Sequence, residues 1–95
     1  MKEVYFKISG RVQGVGFRWF VVRKATEIGA LSGWVRNAED GTVEVLVKWR
    51  EEGVERLMNS FQEVPLWARV DQVSLMPCVK NCFLPLITDG IFESI

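Results

Sequence analysis

The stretch Gly10-Arg11-Val12-Gln13-Gly14-Val15-Gly16-Phe17-Arg18 has the make-up of an anion-binding loop. Glycines let successive backbone N–H groups turn toward one point. A helix starting at Phe17 adds unpaired donors and the positive end of its dipole. Arg18 falls in the first turn of that helix, where a planar guanidinium offers paired donors to the same anion. The candidate phosphate-binding loop is therefore Arg11, Val12, Gln13, Gly14, Val15, Gly16, Phe17 and Arg18. Glycine spacing of this kind also occurs in loops that only turn the chain. Two nucleotide loops do not fit: Gly-Lys-Ser/Thr is absent, and Trp19 stands where a Gly-x-Gly-x-x-Gly loop needs its third glycine. Asn37, just ahead of Glu39-Asp40-Gly41, is the second polar candidate, and by position alone it also suits a turn.

The elements that must hold these residues follow from periodicity. Val4, Phe6 and Ile8 alternate with Tyr5, Lys7 and Ser9, as in a strand with one face on a core. The glycines from Gly10 to Gly16 interrupt it. Phe17, Phe20, Val21, Ala25 and Ile28 then share one helical face, and Gly29 ends the helix. Leu31–Asn37 and Thr42–Trp49 flank Asp40-Gly41, a hairpin signal. Glu51 and Glu52 suit a helix N-terminus, and Val54, Leu57, Met58 and Phe61 continue at helical spacing until Pro65. Val70–Leu75 reads as another strand. The order β-α-β-β-α-β predicts an α+β, ferredoxin-like sandwich: an antiparallel sheet with both helices on one face. Ile91-Phe92-Glu93 adds a short fifth strand at an edge. Trp34 and Trp49 are assigned to sheet packing, and Arg23, Lys24 and Arg36 to solvated surface.

Composition narrows the function. Ninety-five residues, 48% hydrophobic and 25% charged, suit one domain over 1–95, with 76–95 as an atypical tail. Twelve basic residues balance twelve acidic ones, so nucleic acid lacks the charge excess that would hold it. An RNA-binding sheet would also need exposed aromatics where this one offers mainly valine. Met1-Lys2-Glu3 leads directly into the first strand pattern with no long apolar run, so the expected setting is cytoplasmic and away from the membrane. There is no histidine, and Cys78 and Cys82 are the only cysteines, too few ligands for zinc. They read as reduced thiols, or as a local disulfide in an oxidising setting.

Gly10 to Arg18, then Gly33-Trp34-Val35-Arg36-Asn37, then Asp40-Gly41-Thr42-Val43-Glu44-Val45 and Pro65 to Val73 together resemble the acylphosphatase family. The resemblance covers about three quarters of the chain in the expected order. It implies a ferredoxin-like fold, acyl phosphates as substrates, Arg18 as the phosphate ligand, Asn37 as the residue that positions the attacking water, and no cofactor. Inorganic phosphate or sulfate would inhibit by occupying the loop. The tail departs from the family, whose final strand is rich in aromatic and basic residues, so a monomer and a weak homodimer both remain open. Acylphosphatase-like domains also occur in hydrogenase-maturation proteins that handle carbamoyl phosphate, which gives a non-catalytic binding module as the competing reading. With no histidine and no clustered carboxylates near the loop, acyl phosphate hydrolysis should be unchanged by EDTA. A requirement for Mg²⁺ in the same assay would contradict the site.

Overall fold

The computed structural model describes residues 2–29, 31–49, 53–64, 68–77, 85–88 and 90–95. The predicted cysteine pair, Glu51, Glu52, Pro65 and the Phe83-Leu84 part of the tail lie outside them. Strand β1 (Lys2–Arg11) leads through the glycine loop into helix α1 (Phe17–Ile28). Strands β2 (Leu31–Asn37) and β3 (Val43–Trp49) follow, then helix α2 (Gly53–Ser60) with a 3-10 turn over Phe61–Glu63, strand β4 (Arg69–Pro77) and strand β5 (Phe92–Ser94). The sheet order is β4-β1-β3-β2-β5.

The alternation read from β1 holds. Val4, Phe6 and Ile8 are buried beside Val43, Val45 and Val47 of β3, their antiparallel neighbour. Onto that face α1 lays Phe17, Phe20, Val21 and Ala25, and the second helical segment lays Val54, Leu57 and Phe61, forming one core. Phe61 meets Phe6 edge-on with ring centroids 5.9 Å apart, a favoured aromatic geometry. Both helices pack on this face.

Three expectations need correction. First, β1 does not stop at Gly10. It continues to Arg11 by shifting register between Ser9 and Gly10 and pairing Gly10 with Val70 and Arg11 with Arg69 of β4. A one-residue irregularity of this kind bends a strand without ending it. Second, Phe61 belongs to the 3-10 turn and not to the α-helix. Third, the sheet is mixed. β5 runs parallel to β2, with Gly33 beside Phe92 and Val35 beside Ser94, at the edge opposite β4.

Described parts of the tail also reach β2 from the other face. Trp34 and its cross-strand partner Leu46 lie outside the helix-side core, yet only 1% and 4% of their surfaces are exposed. The Trp34 indole N–H donates to the Pro85 carbonyl at 2.9 Å. The Gly90 N–H donates to the Ser32 hydroxyl at 2.8 Å, and the Gly33 N–H to the Ile91 carbonyl at 2.9 Å. The tail thus finds its second surface on its own sheet, although Leu86 remains exposed.

Gly33 makes this seat possible. A Cβ there would lie 2.0 Å from the Leu46 carbonyl oxygen and 3.1 Å from the Phe92 ring. Gly33→Ala should cost about 4 kcal/mol, a size reserved for substitutions that break packing or backbone geometry. Gly14→Ala, at φ +72 but with nothing within 4 Å of the added carbon, should cost only about 1–2 kcal/mol. Urea midpoints at unchanged slope measure both, and equal midpoints for the two variants would contradict the close approach.

Candidate active site

The loop after β1 is anchored at both ends. Val12 and Phe17 are each 1% exposed, and the chain between them turns through positive φ at Gly14 (+72°) and Gly16 (+80°). Only residues without a Cβ adopt that conformation at little cost. Gly16 is the N-cap of α1, so no cap side chain competes for the first amides, and the first turn carries no acidic residue. The Phe20 N–H already bonds to the Gly16 carbonyl at 3.0 Å. The amides of the preceding turn precede the helical ladder, and they are the donors that anions use at helix starts.

Arg18 shares an open cleft of about 340 Å³ with Val12, Gly14, Gly16, Phe17, Trp19, Val22 and Ser94. Five of the eight candidate loop residues thus line one concavity. The other three do not. Arg11 is exposed at the end of β1 opposite Arg69, Val15 packs against the core, and Gln13 turns its side chain elsewhere. Trp19 was missed as a cleft residue, although its sequence position carried the signal: it falls off the helical face formed by Phe17, Phe20, Val21 and Ala25. It is 62% exposed, and the Arg23 guanidinium lies 5.3 Å from its ring.

Asn37 is the exposed last residue of β2, paired with Val43. It lines a polar hollow with Arg36, Ala38, Glu39, Asp40 and Glu44, and Arg18 is not among the residues of that hollow. The link between the two sites is Gln13. Its side-chain N–H₂ donates to the Ala38 carbonyl at 2.7 Å and to the Thr42 carbonyl at 2.9 Å.

The turn beyond Asn37 is braced by charge. Asp40 accepts from the Thr42 N–H and hydroxyl and pairs with Lys7 of β1 at 2.7 Å. The hydrogen bond from Lys7, with those from Thr42, holds the Asp40 carboxyl well below the usual carboxylate range, and Asp40 in turn raises Lys7. Arg36 is not simply solvated surface. It donates to Glu44 at 2.9 Å and lies over the Trp34 ring at 4.9 Å. Glu44 also accepts from the Tyr5 hydroxyl. Among the described residues, no three His, Cys, Asp or Glu side chains group as a metal ligand set.

Residues 4–81 match the acylphosphatase family model. The chain belongs to the acylphosphatase family. It is 47% identical over 77 residues to the acylphosphatase of Thermococcus kodakarensis, a span covering 79% of this chain and 84% of that one. The crystal structure of acylphosphatase from Bacillus subtilis matches with a TM-score of 0.79 at 29% identity, covering 100% of this chain and 98% of that one. That likeness runs through the atypical tail. T. kodakarensis HypF matches with a TM-score of 0.80 at 33% identity, but this chain spans only 12% of it. The ferredoxin-like fold is therefore that of the acylphosphatases.

Burial first, then the bond to Glu44, pushes the Tyr5 phenol above its ordinary value of 10.0. A raised folded-state pKa gives stability that is present in full below pH 10 and lost as pH rises through the folded value. Tyr5 is the only tyrosine, so tyrosinate absorbance at 295 nm reports it alone. The folded protein should show less tyrosinate at pH 11 than an unperturbed tyrosine would, and Glu44→Gln should lower the midpoint. A folded-state midpoint near 10 would contradict the Tyr5–Glu44 bond.

Proposed function

We propose that this protein is an acylphosphatase that hydrolyses the carboxyl-phosphate bond of small acyl phosphates, with Arg18 and Asn37 as its catalytic residues. The observation that carries this reading is the cleft in which Arg18 adjoins the glycine loop and the uncapped start of α1. The phosphoryl group sits on the loop amides and the Arg18 guanidinium. Asn37 orients the attacking water. The water oxygen bonds to phosphorus, the bond from phosphorus to the acyl oxygen breaks, and its electron pair leaves with the carboxylate. A phosphoryl oxygen of the substrate takes the water proton, so the products are carboxylate and inorganic phosphate.

This chemistry fits a site without histidine. The conjugate acid of the leaving carboxylate has a pKa of about 4, so it departs without a general acid. The phosphoryl transition state is loose, with charge spread over equatorial oxygens, and positioning plus electrostatic stabilisation supply most of the catalysis. Arg18 and the loop amides provide the second, Asn37 the first. The cleft wall formed by Val12, Trp19 and Val22 receives the acyl group. Inorganic phosphate or sulfate competes for the loop. The protein works in the cytoplasm, as a monomer or weak homodimer; no described helix is long and apolar enough to cross a membrane.

The likeness to HypF favours a second reading, a non-catalytic module for phosphate or carbamoyl phosphate. Similarity to an acylphosphatase over 84% of that protein's length weighs for the enzyme. Benzoyl phosphate hydrolysis separates the two. Arg18→Ala should weaken phosphate inhibition and slow turnover, since loss of one such donor costs roughly 3 kcal/mol or more. Arg18→Lys should not rescue it, because a point charge lacks the paired guanidinium geometry. Asn37→Ala should lose most turnover while phosphate inhibition stays nearly unchanged, as for an interaction made mainly in the transition state. A folded Asn37→Ala protein with wild-type turnover would remove Asn37 from the mechanism.

A further inference from the structure

We propose that Gln13 is a positioning residue, whose carboxamide fastens the phosphate-side loop to the turn behind Asn37 and so sets the separation between bound phosphate and attacking water. This rests on the roles proposed above for Arg18 and Asn37.

A primary amide has two N–H donors, and Gln13 uses both on carbonyls 25 and 29 residues away in sequence. Those carbonyls close the β2–β3 turn. The Ala38 carbonyl already accepts from the Gly41 N–H at 3.3 Å, and the Thr42 carbonyl from the Ala38 N–H at 2.8 Å. Each carbonyl oxygen has two lone pairs, so Gln13 occupies the second site on both. The turn is then held from two directions: the Lys7 ammonium grips Asp40, and the Gln13 carboxamide grips the two closing carbonyls. Asn37 is covalently joined to Ala38, one of the two gripped residues. Gln13 itself lies between buried Val12 and left-handed Gly14, both of which line the Arg18 cleft.

A side chain without two donors cannot make this clamp. Leucine or methionine offers no donor, and a carboxylate would set its lone pairs against two carbonyl oxygens. Losing the clamp leaves the loop and Arg18 able to hold phosphate, but lets the turn carrying Asn37 drift. A misplacement of about 1 Å in a reacting geometry lowers rates by roughly 10²-fold. The signature is therefore a loss of turnover with little loss of phosphate affinity.

The test is a double-mutant cycle on benzoyl phosphate hydrolysis, read together with inhibition by inorganic phosphate. Gln13→Leu should lower kcat by about 10- to 100-fold and change the phosphate inhibition constant by less than about threefold. In the Asn37→Ala background it should change kcat by less than about twofold, because the residue it positions is gone. Gln13→Met, of similar length and without donors, carries the same expectation and replaces Gln13→Leu if that chain does not fold by near-ultraviolet circular dichroism. Full turnover in a folded donor-less variant overturns the proposal. So does a kcat loss that multiplies with that of Asn37→Ala, or one matched by an equal loss of phosphate inhibition. If Asn37→Ala itself retains turnover, the reading beneath has failed and takes the proposal with it; an inactive Asn37→Ala beside a fully active Gln13→Leu overturns the proposal alone.

Discussion

The short segment between two buried anchors governs the rest of this molecule. Val12 and Phe17 are both committed to the core, and four residues must join them while the chain changes from strand to helix. Left-handed Gly14 and Gly16 make that change possible. Gly14 and Gly16 between the anchors line the cleft, and the first turn of α1 delivers Arg18 to the same place. A backbone loop is only as rigid as its ends. Here the ends are part of the packed core, whose density resists displacement.

The sheet supplies the second fixed point. β1 pairs with β3 on one side and β4 on the other, so the strand that feeds the loop is central. β3 in turn holds β2 in a register that sets Asn37 opposite Val43 at the mouth of the turn. Loop and turn therefore descend from neighbouring strands at one end of the sheet. β5 joins the same assembly from the far edge, bringing Ser94 to the Arg18 cleft. The tail thus closes the sheet edge, covers Trp34 and contributes to the cleft wall.

Much of this was legible in the residues. Period-two valines and phenylalanines marked β1 and β3, and the apolar face from Phe17 to Ala25 marked α1, because one-sided burial writes its period into the sequence. Asp40-Gly41 marked the hairpin, closed by the bond from the Gly41 N–H to Ala38 and by left-handed Gly41. What was not legible depends on contacts far apart in sequence. The continuation of β1 to Arg11 needs β4 as a partner. The direction of a three-residue strand such as β5 depends on its partner β2, which no local pattern encodes. The same holds for Gln13, a polar loop residue whose importance appears only when Ala38 and Thr42 come within reach. The pairing of Arg18 with Asn37 comes from the resemblance, because no local pattern relates a residue of α1 to the end of β2.

The loop amides and Arg18 are the proposed phosphate site. A ¹H–¹⁵N titration with inorganic phosphate tests it directly. Saturable shifts should concentrate on the amides of Gly14, Val15, Gly16, Phe17 and Arg18 and on the Arg18 guanidinium, and Arg18→Ala should abolish them at the same phosphate concentration. Shifts centred instead on the Arg36–Glu44 hollow, or none at all in the folded protein, would contradict it.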